Sequence, residues 1–256
     1  MENTQSSFES IPLQPQFDEG PGKYRIGLVL LSSDYATERD FMNMRDNDDI
    51  IFYSTRIPLA GEITVESLAT SAAELTNATK LLQPGGRLDV LAYSCTSASV
   101  VLGHTRVEQA MQLARPGIPC VTPISAAIEA LQTLKTLRVS VVTPYIDSIN
   151  TKFNDKFLSE GLDIKKFASF GLIQDLDMAN LTSEAIYQGA LQADHEDSEA
   201  IFISCTAIRA VDVIERIEDT LGKPVVTSIQ AMYWQCIRRA GYTGKLSGYG
   251  KLLAEH

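Results

Sequence analysis

The stretch SCTSASVVLGHTRVEQAM (residues 94–111) returns as SCTAIRAVDVIERIEDTL (residues 204–221), with Ser94-Cys95-Thr96 facing Ser204-Cys205-Thr206. Each tripeptide follows an apolar run and precedes an amphipathic stretch, so both read as a strand end that opens a helix. Downstream, GIPCVTPISAAIEAL (residues 117–131) matches GKPVVTSIQAMYWQC (residues 222–236); upstream, RIGLVLLSSD (residues 25–34) matches RVSVVTPYID (residues 138–147). In chain order the three blocks are offset by 113, 110 and 105 residues, a drift that small loop differences absorb. The chain reads as two similar halves.

Around these blocks, apolar runs at residues 25–31, 50–57, 88–94, 119–124, 137–143, 200–204 and 224–229 are nearly continuous in Val, Ile and Leu. Strands buried on both faces of a parallel sheet have that composition. Helix-like stretches separate them, among them residues 66–82, 104–114, 125–134, 210–221 and 231–241. The alternation predicts an α/β fold of two similar flavodoxin-like open parallel-sheet lobes, related by a pseudo-twofold axis, with the active-site cleft between them. Residues 1–22, polar and rich in Gln, Ser and Pro, read as a flexible arm. Residues 23–136 and 137–256 read as the two lobes, the C-terminal segment of each free to cross to the other.

Composition narrows the function classes. Among 256 residues there are 22 Lys and Arg against 32 Asp and Glu, a net charge of −10. That excess argues against nucleic acid as a partner, because phosphate-backbone binding needs clustered cations. No apolar run approaches the roughly 18 residues that span a bilayer, and the N-terminus lacks the order of a secretory leader, so no membrane partner and a cytoplasmic location are expected. The four cysteines form no CxxC pair, which excludes a disulfide scaffold and a zinc ribbon. With three scattered histidines, no HExxH, no P-loop and no GxGxxG, no metal and no cofactor are expected.

Cys95 and Cys205 then stand out. At equivalent points of a repeat, at the carboxyl ends of parallel strands, they face one cleft from opposite sides. A helix start at each would supply free N–H groups and partial positive charge, which depress a thiol pKa. Two such thiols permit chemistry without a cofactor: one removes a proton from the carbon beside a carboxylate and the other returns a proton to the opposite face. The enediolate needs fixed donors, and Thr96, Ser97, Thr206 and Tyr145 are candidates. The same thiols could instead add to a double bond and release it after rotation. Cys120 and Cys236, at non-equivalent places, read as packing residues.

The paired SCT motifs, the SSD turn (residues 32–34), VVTPY (residues 141–145) and the stretch from PVVTSIQA to GYGKLL resemble the Asp/Glu racemase superfamily, within it the maleate isomerase and arylmalonate decarboxylase branch. YSCTSASVVLG, FISCTAIRA and KPVVTSIQA are most similar to the ectoine-utilisation EutA group of that branch. The resemblance covers residues 24–253. It implies a cofactor-independent racemase or isomerase acting on a small carboxylate, most simply as a homodimer. Cys95 and Cys205 match its two catalytic cysteines, and Thr96, Ser97 and Tyr145 match donors that hold the reacting carboxylate.

One departure bears on substrate. Where maleate isomerases have Asn in the turn after the first strand, this chain has Ser33-Asp34, and Asp175 stands near the place of a second Asn. A carboxylate about 4 Å from a substrate carboxylate costs about 1 kcal/mol in water and about 4 kcal/mol at an effective dielectric constant near 20. The pair disfavours a dicarboxylate and suits a substrate with a cationic or donor group, such as an ectoine-type or amino-acid-derived carboxylate. The alternative for Asp34 is capping of the helix at ATERDF. Ser33, Asp34, Thr96, Ser97, Tyr145, Asp175 and Thr206 are the expected substrate-binding residues, around Cys95 and Cys205.

Overall fold

The computed structural model describes residues 11–59 and 61–256. The first ten residues of the expected arm lie outside this description. The carbonyls of Gly20, Pro21 and Gly22 accept hydrogen bonds of 3.1–3.2 Å from the buried Arg25 guanidinium.

The first lobe runs β1 (Tyr24–Leu31), α1 (Thr37–Asn43), β2 (Ile50–Ile57), α2 (Val65–Ser71), α3 (Leu75–Lys80), β3 (Val90–Ser94), α4 (Thr96–Leu102), α5 (His104–Gln112), β4 (Cys120–Val121) and α6 (Pro123–Thr133). The second runs β5 (Arg138–Thr143), α7 (Asp147–Ser159), β6 (Asp163–Ser169), α8 (Asp175–Ala179), α9 (Ser183–Ala193), β7 (Ala200–Ile203), α10 (Ile214–Leu221), β8 (Val225–Thr227), α11 (Ser228–Arg239) and α12 (Gly250–Glu255). Each lobe has one four-stranded parallel sheet, ordered β2-β1-β3-β4 and β6-β5-β7-β8. In both, the strand order reverses beside the first strand, so the connections leaving β1 and β3, and likewise β5 and β7, run to opposite sides of the sheet. Open α/β sheets bind ligands in the crevice at that point.

Two expectations need correction. DIKKFAS (residues 163–169) was not among the expected strands, yet it forms the edge strand β6. Its lysines and half-exposed side chains suit an unpaired sheet edge and hide it from a search for apolar runs. The second SCT tripeptide does not open a helix: residues 204–209 form a loop, a 3₁₀ turn spans Ala210–Val213, and α10 begins only at Ile214.

The matching VTPIS and VTSIQ segments have a clear local cause. Thr122 and Thr227 are the N-caps of α6 and α11, and each closes a capping box with the third helical residue, Ser125 or Gln230. These two helices pack against each other. From the second half, α11 reaches the first lobe, where the Tyr233 ring meets Phe41 edge-on at 5.2 Å and its hydroxyl donates to the Met44 carbonyl at 2.8 Å. Among the described residues, no helix is long and apolar enough to cross a membrane.

Candidate active site

The switch-point ends of the two sheets face each other. Cys95, Thr96 and Ser97 after β3, Asp34 after β1, Tyr145 after β5, and Cys205 and Thr206 after β7 line one cavity with Asp175. Thr206 Oγ1 donates across it to the Ser94 carbonyl at 3.2 Å, joining the ends of β3 and β7. Above, the segments following β2 and β6 meet: the Ile63 amide donates to the Ile173 carbonyl at 2.8 Å, and the Asp175 amide to the Gly61 carbonyl at 2.9 Å. The enclosed space is about 10 Å³, room for about one water molecule. A substrate enters only if these segments or the lobes part.

The two thiols are 4% and 6% exposed but sit on different backbones. Cys95 is the N-cap of α4, in extended conformation, with Sγ 3.6 Å from Ser97 Oγ. Cys205 has φ +94°, its amide donates to Ser228 Oγ at 3.1 Å, and its Sγ accepts from the Ala207 amide at 3.4 Å. The expected depression of both thiols is not met in this closed cavity. Burial pushes Cys95 up to about 11 and outweighs the Ser97 hydroxyl and Ala98 amide that favour its thiolate. Burial, then the Asp175 charge, pushes Cys205 up to about 12 against the Tyr145 hydroxyl. Cys120 and Cys236 are buried away from this cavity.

Among the expected donors, Thr96 is the most telling: its hydroxyl is buried and has no hydrogen-bond partner. A buried unpaired hydroxyl costs about 1–3 kcal/mol, and this one lies on the cavity wall. The Tyr145 ring stacks on Phe153 at 5.5 Å, and its hydroxyl accepts from Ser204 Oγ at 3.5 Å. Asp34 is not the N-cap, which is Ala36, but it does hold the start of α1: Oδ1 accepts from the amides of Ala36 and Thr37 at 3.0 and 2.9 Å, and Oδ2 from Thr37 Oγ1 at 2.6 Å. It lines the cavity as well, so both roles coexist. Asp175 accepts from the Ser33 hydroxyl. Ser33 itself is off the cavity wall and reaches the site only through that bond. Burial raises both carboxyls above the usual carboxylate range. No Lys or Arg is among the lining residues.

Four lining residues were not among those expected from the sequence: Leu31, Ile63, Ser94 and Ala207. Leu31 ends an apolar strand and reads as core, while Ser94 and Ala207 flank the motif residues themselves. Ile63, from the segment after β2, has no motif around it.

The family model for arylmalonate decarboxylase matches residues 48–253. The chain belongs to this family. A curated relative, the arylmalonate decarboxylase of Bordetella bronchiseptica, is 30% identical over 213 residues, covering 81% of this chain and 88% of that protein. The maleate isomerase of Nocardia farcinica is 26% identical over 91% of this chain and 97% of its own length. Among solved structures, a liganded cysteine variant of arylmalonate decarboxylase superposes with a TM-score of 0.82 at 28% identity, covering 91% of this chain and all of that one. The Nocardia farcinica maleate cis-trans isomerase bound to TRIS gives 0.84 at 25% identity, covering 91% and 98%. The family therefore holds an isomerase and a decarboxylase on one two-lobed fold, and this chain is an enzyme of that kind. None of these relatives is an ectoine-utilisation protein.

Proposed function

We propose that this protein is a cofactor-independent, two-cysteine racemase or isomerase of a small carboxylate that carries a cationic or hydrogen-bond-donating group. The observation that carries this reading is the lining of the closed cavity. Two repeat-related thiols share it with hydroxyl donors and two buried carboxylates, and no basic side chain joins them. Arylmalonate-type decarboxylation needs one thiol as proton donor; a pair on opposite walls serves proton removal from one face and delivery to the other. Cys95 or Cys205, as thiolate, takes the α-proton, and the opposite thiol gives its own proton to the other face of the enediolate. Thr96, Ser97 and Tyr145 donate to the carboxylate oxygens, where charge grows in the transition state.

The carboxylates connect substrate to reactivity. Burial raises both thiols first and the Asp175 charge adds to it, so a cationic group set against Asp34 and Asp175 offsets that added part. Ammonium and amidinium carboxylates, including amino acids and ectoine-type cyclic amidines, meet that requirement. Maleate brings two negative charges beside two carboxyls whose own ionisation burial already disfavours. Maleate isomerisation, by thiol addition to the double bond and rotation, is the second reading, and the likeness to maleate isomerases over nine-tenths of the chain favours it.

Initial rates over amino acids, ectoine, hydroxyectoine, maleate and arylmalonates decide between them. The first reading expects turnover of a zwitterionic carboxylate and little of maleate. Maleate as the fastest substrate contradicts it and supports the second.

A further inference from the structure

Proline is a favoured first residue of a helix, because the amide it lacks would be unpaired there anyway. The first lobe uses it: Thr122 caps α6, and Pro123 is the first helical residue. Thr227 caps α11 in the same way, with φ −112° and ψ 153° against −123° and 149° at Thr122. That extended backbone suits a following proline. The residue that follows is instead Ser228, and it is wholly buried.

The use of this serine lies at the neighbouring strand. Both sheets keep one register: Leu91 pairs with Cys120 and Ala92 with Val121 in the first, Ile201 with Val225 and Phe202 with Val226 in the second. Pro123 and Ser228 therefore stand at the same place relative to Cys95 and Cys205. In the first lobe, Cys95 is extended at φ −148°, and its amide donates to the Tyr93 carbonyl at 3.0 Å. In the second, Cys205 takes φ +94°, and its amide donates to Ser228 Oγ at 3.1 Å. A residue with a side chain rarely holds that conformation unless its surroundings fix it. The hydroxyl that stands where the repeat has proline is what fixes it here. The same turn brings the Ala207 amide to Cys205 Sγ at 3.4 Å, at the wall of the cavity. Burial dominates the Cys205 thiol, and this amide opposes it by favouring the thiolate.

We propose that Ser228 is a positioning residue for Cys205, its hydroxyl holding the Cys205 backbone in the turn that aims Sγ at the cavity and at the Ala207 amide. The proposal rests on reading Cys205 as a working thiol, and its test needs no substrate. Wild-type protein, Ser228→Pro, Ser228→Ala and Ser228→Thr are treated with methyl methanethiosulfonate across a pH series, and modification of Cys205 and Cys95 is followed separately by peptide mass. In Ser228→Pro and Ser228→Ala, Cys205 is expected to react roughly tenfold more slowly at neutral pH, the equivalent of a pH midpoint about one unit higher, with Cys95 unchanged. Ser228→Thr keeps the hydroxyl and is expected to react like wild type. The proline variant retains the helix start that α6 shows, so the hydroxyl can be removed even where the alanine variant fails to fold. An unchanged Cys205 rate and midpoint in the proline variant overturns the proposal. Faster modification of Cys205 does so too, since the hydroxyl then shields the sulfur rather than aims it. Equal slowing of both thiols, which marks altered opening of the cavity, also overturns it, as does a threonine variant as slow as the proline one. If Cys205 responds as expected but the wild type turns over no carboxylate, the proposed function fails and this inference stands.

Discussion

Cys205 holds a backbone conformation that side chains other than Gly rarely adopt, with φ +94°. Such a residue costs roughly 1–3 kcal/mol, and the cost persists where the surroundings fix it for a purpose. Here the purpose is aim: the Ser228 hydroxyl holds the amide while Sγ turns into the cavity. Cys205→Gly removes both the thiol and the strain, whereas Cys205→Ala removes only the thiol. In urea titrations the Gly variant is expected to be more stable than the Ala variant by about 1 kcal/mol, with activity lost in both. Asp175→Asn acts through charge instead. Because the carboxylate disfavours both thiolates, its removal moves both thiol titrations to lower pH, and thiol-specific modification at neutral pH is expected to accelerate at Cys95 and Cys205 together.

Among the elements, the N-caps of α6 and α11 link the sequence repeat to the assembly of the lobes. Thr227→Ala opens the capping box of a helix that packs across onto the first lobe, and is expected to lower stability by about 1 kcal/mol in denaturant titration. The repeat made the fold legible because parallel strands buried on both faces are mostly apolar, and β1, β3, β5 and β7 are. It failed at β6, an edge strand that needs no apolar face, and at Cys205, where identical tripeptides take different backbones because the Ser228 hydroxyl and the Ala207 amide reward a turn over a helix start. Cys95, Thr96, Ser97, Tyr145, Cys205 and Thr206 were legible as motif positions, whereas Ile63 was not. The acidity of the thiols was not, because burial depends on the closure of segments far apart in sequence, such as those around Ile63 and Ile173.

At the scale of the molecule, the lobes close over groups that prefer to be neutral. Burial raises Asp34, Asp175 and Asp40, the last from 3.8 to about 7 despite the Arg39 guanidinium beside it. A group whose folded pKa lies above its unfolded value contributes stability that is complete below the unfolded pKa and lost as pH rises through the folded one. For Asp40 that window runs from about 4 to about 7, and the linked change is on the order of 2–4 kcal/mol. Melting temperatures are therefore expected to fall as pH rises across this window, and Asp40→Asn to flatten the slope. In the proposed reaction, one closed cavity works through two thiols acting on opposite faces of one carbon. Its most direct test is the substrate screen's best carboxylate incubated in D₂O with wild-type protein, Cys95→Ala and Cys205→Ala, with stereochemical interconversion and α-deuterium followed by NMR. Deuterium is expected in the interconverted product of the wild type, with interconversion lost in both variants. Interconversion at the wild-type rate in either variant contradicts it.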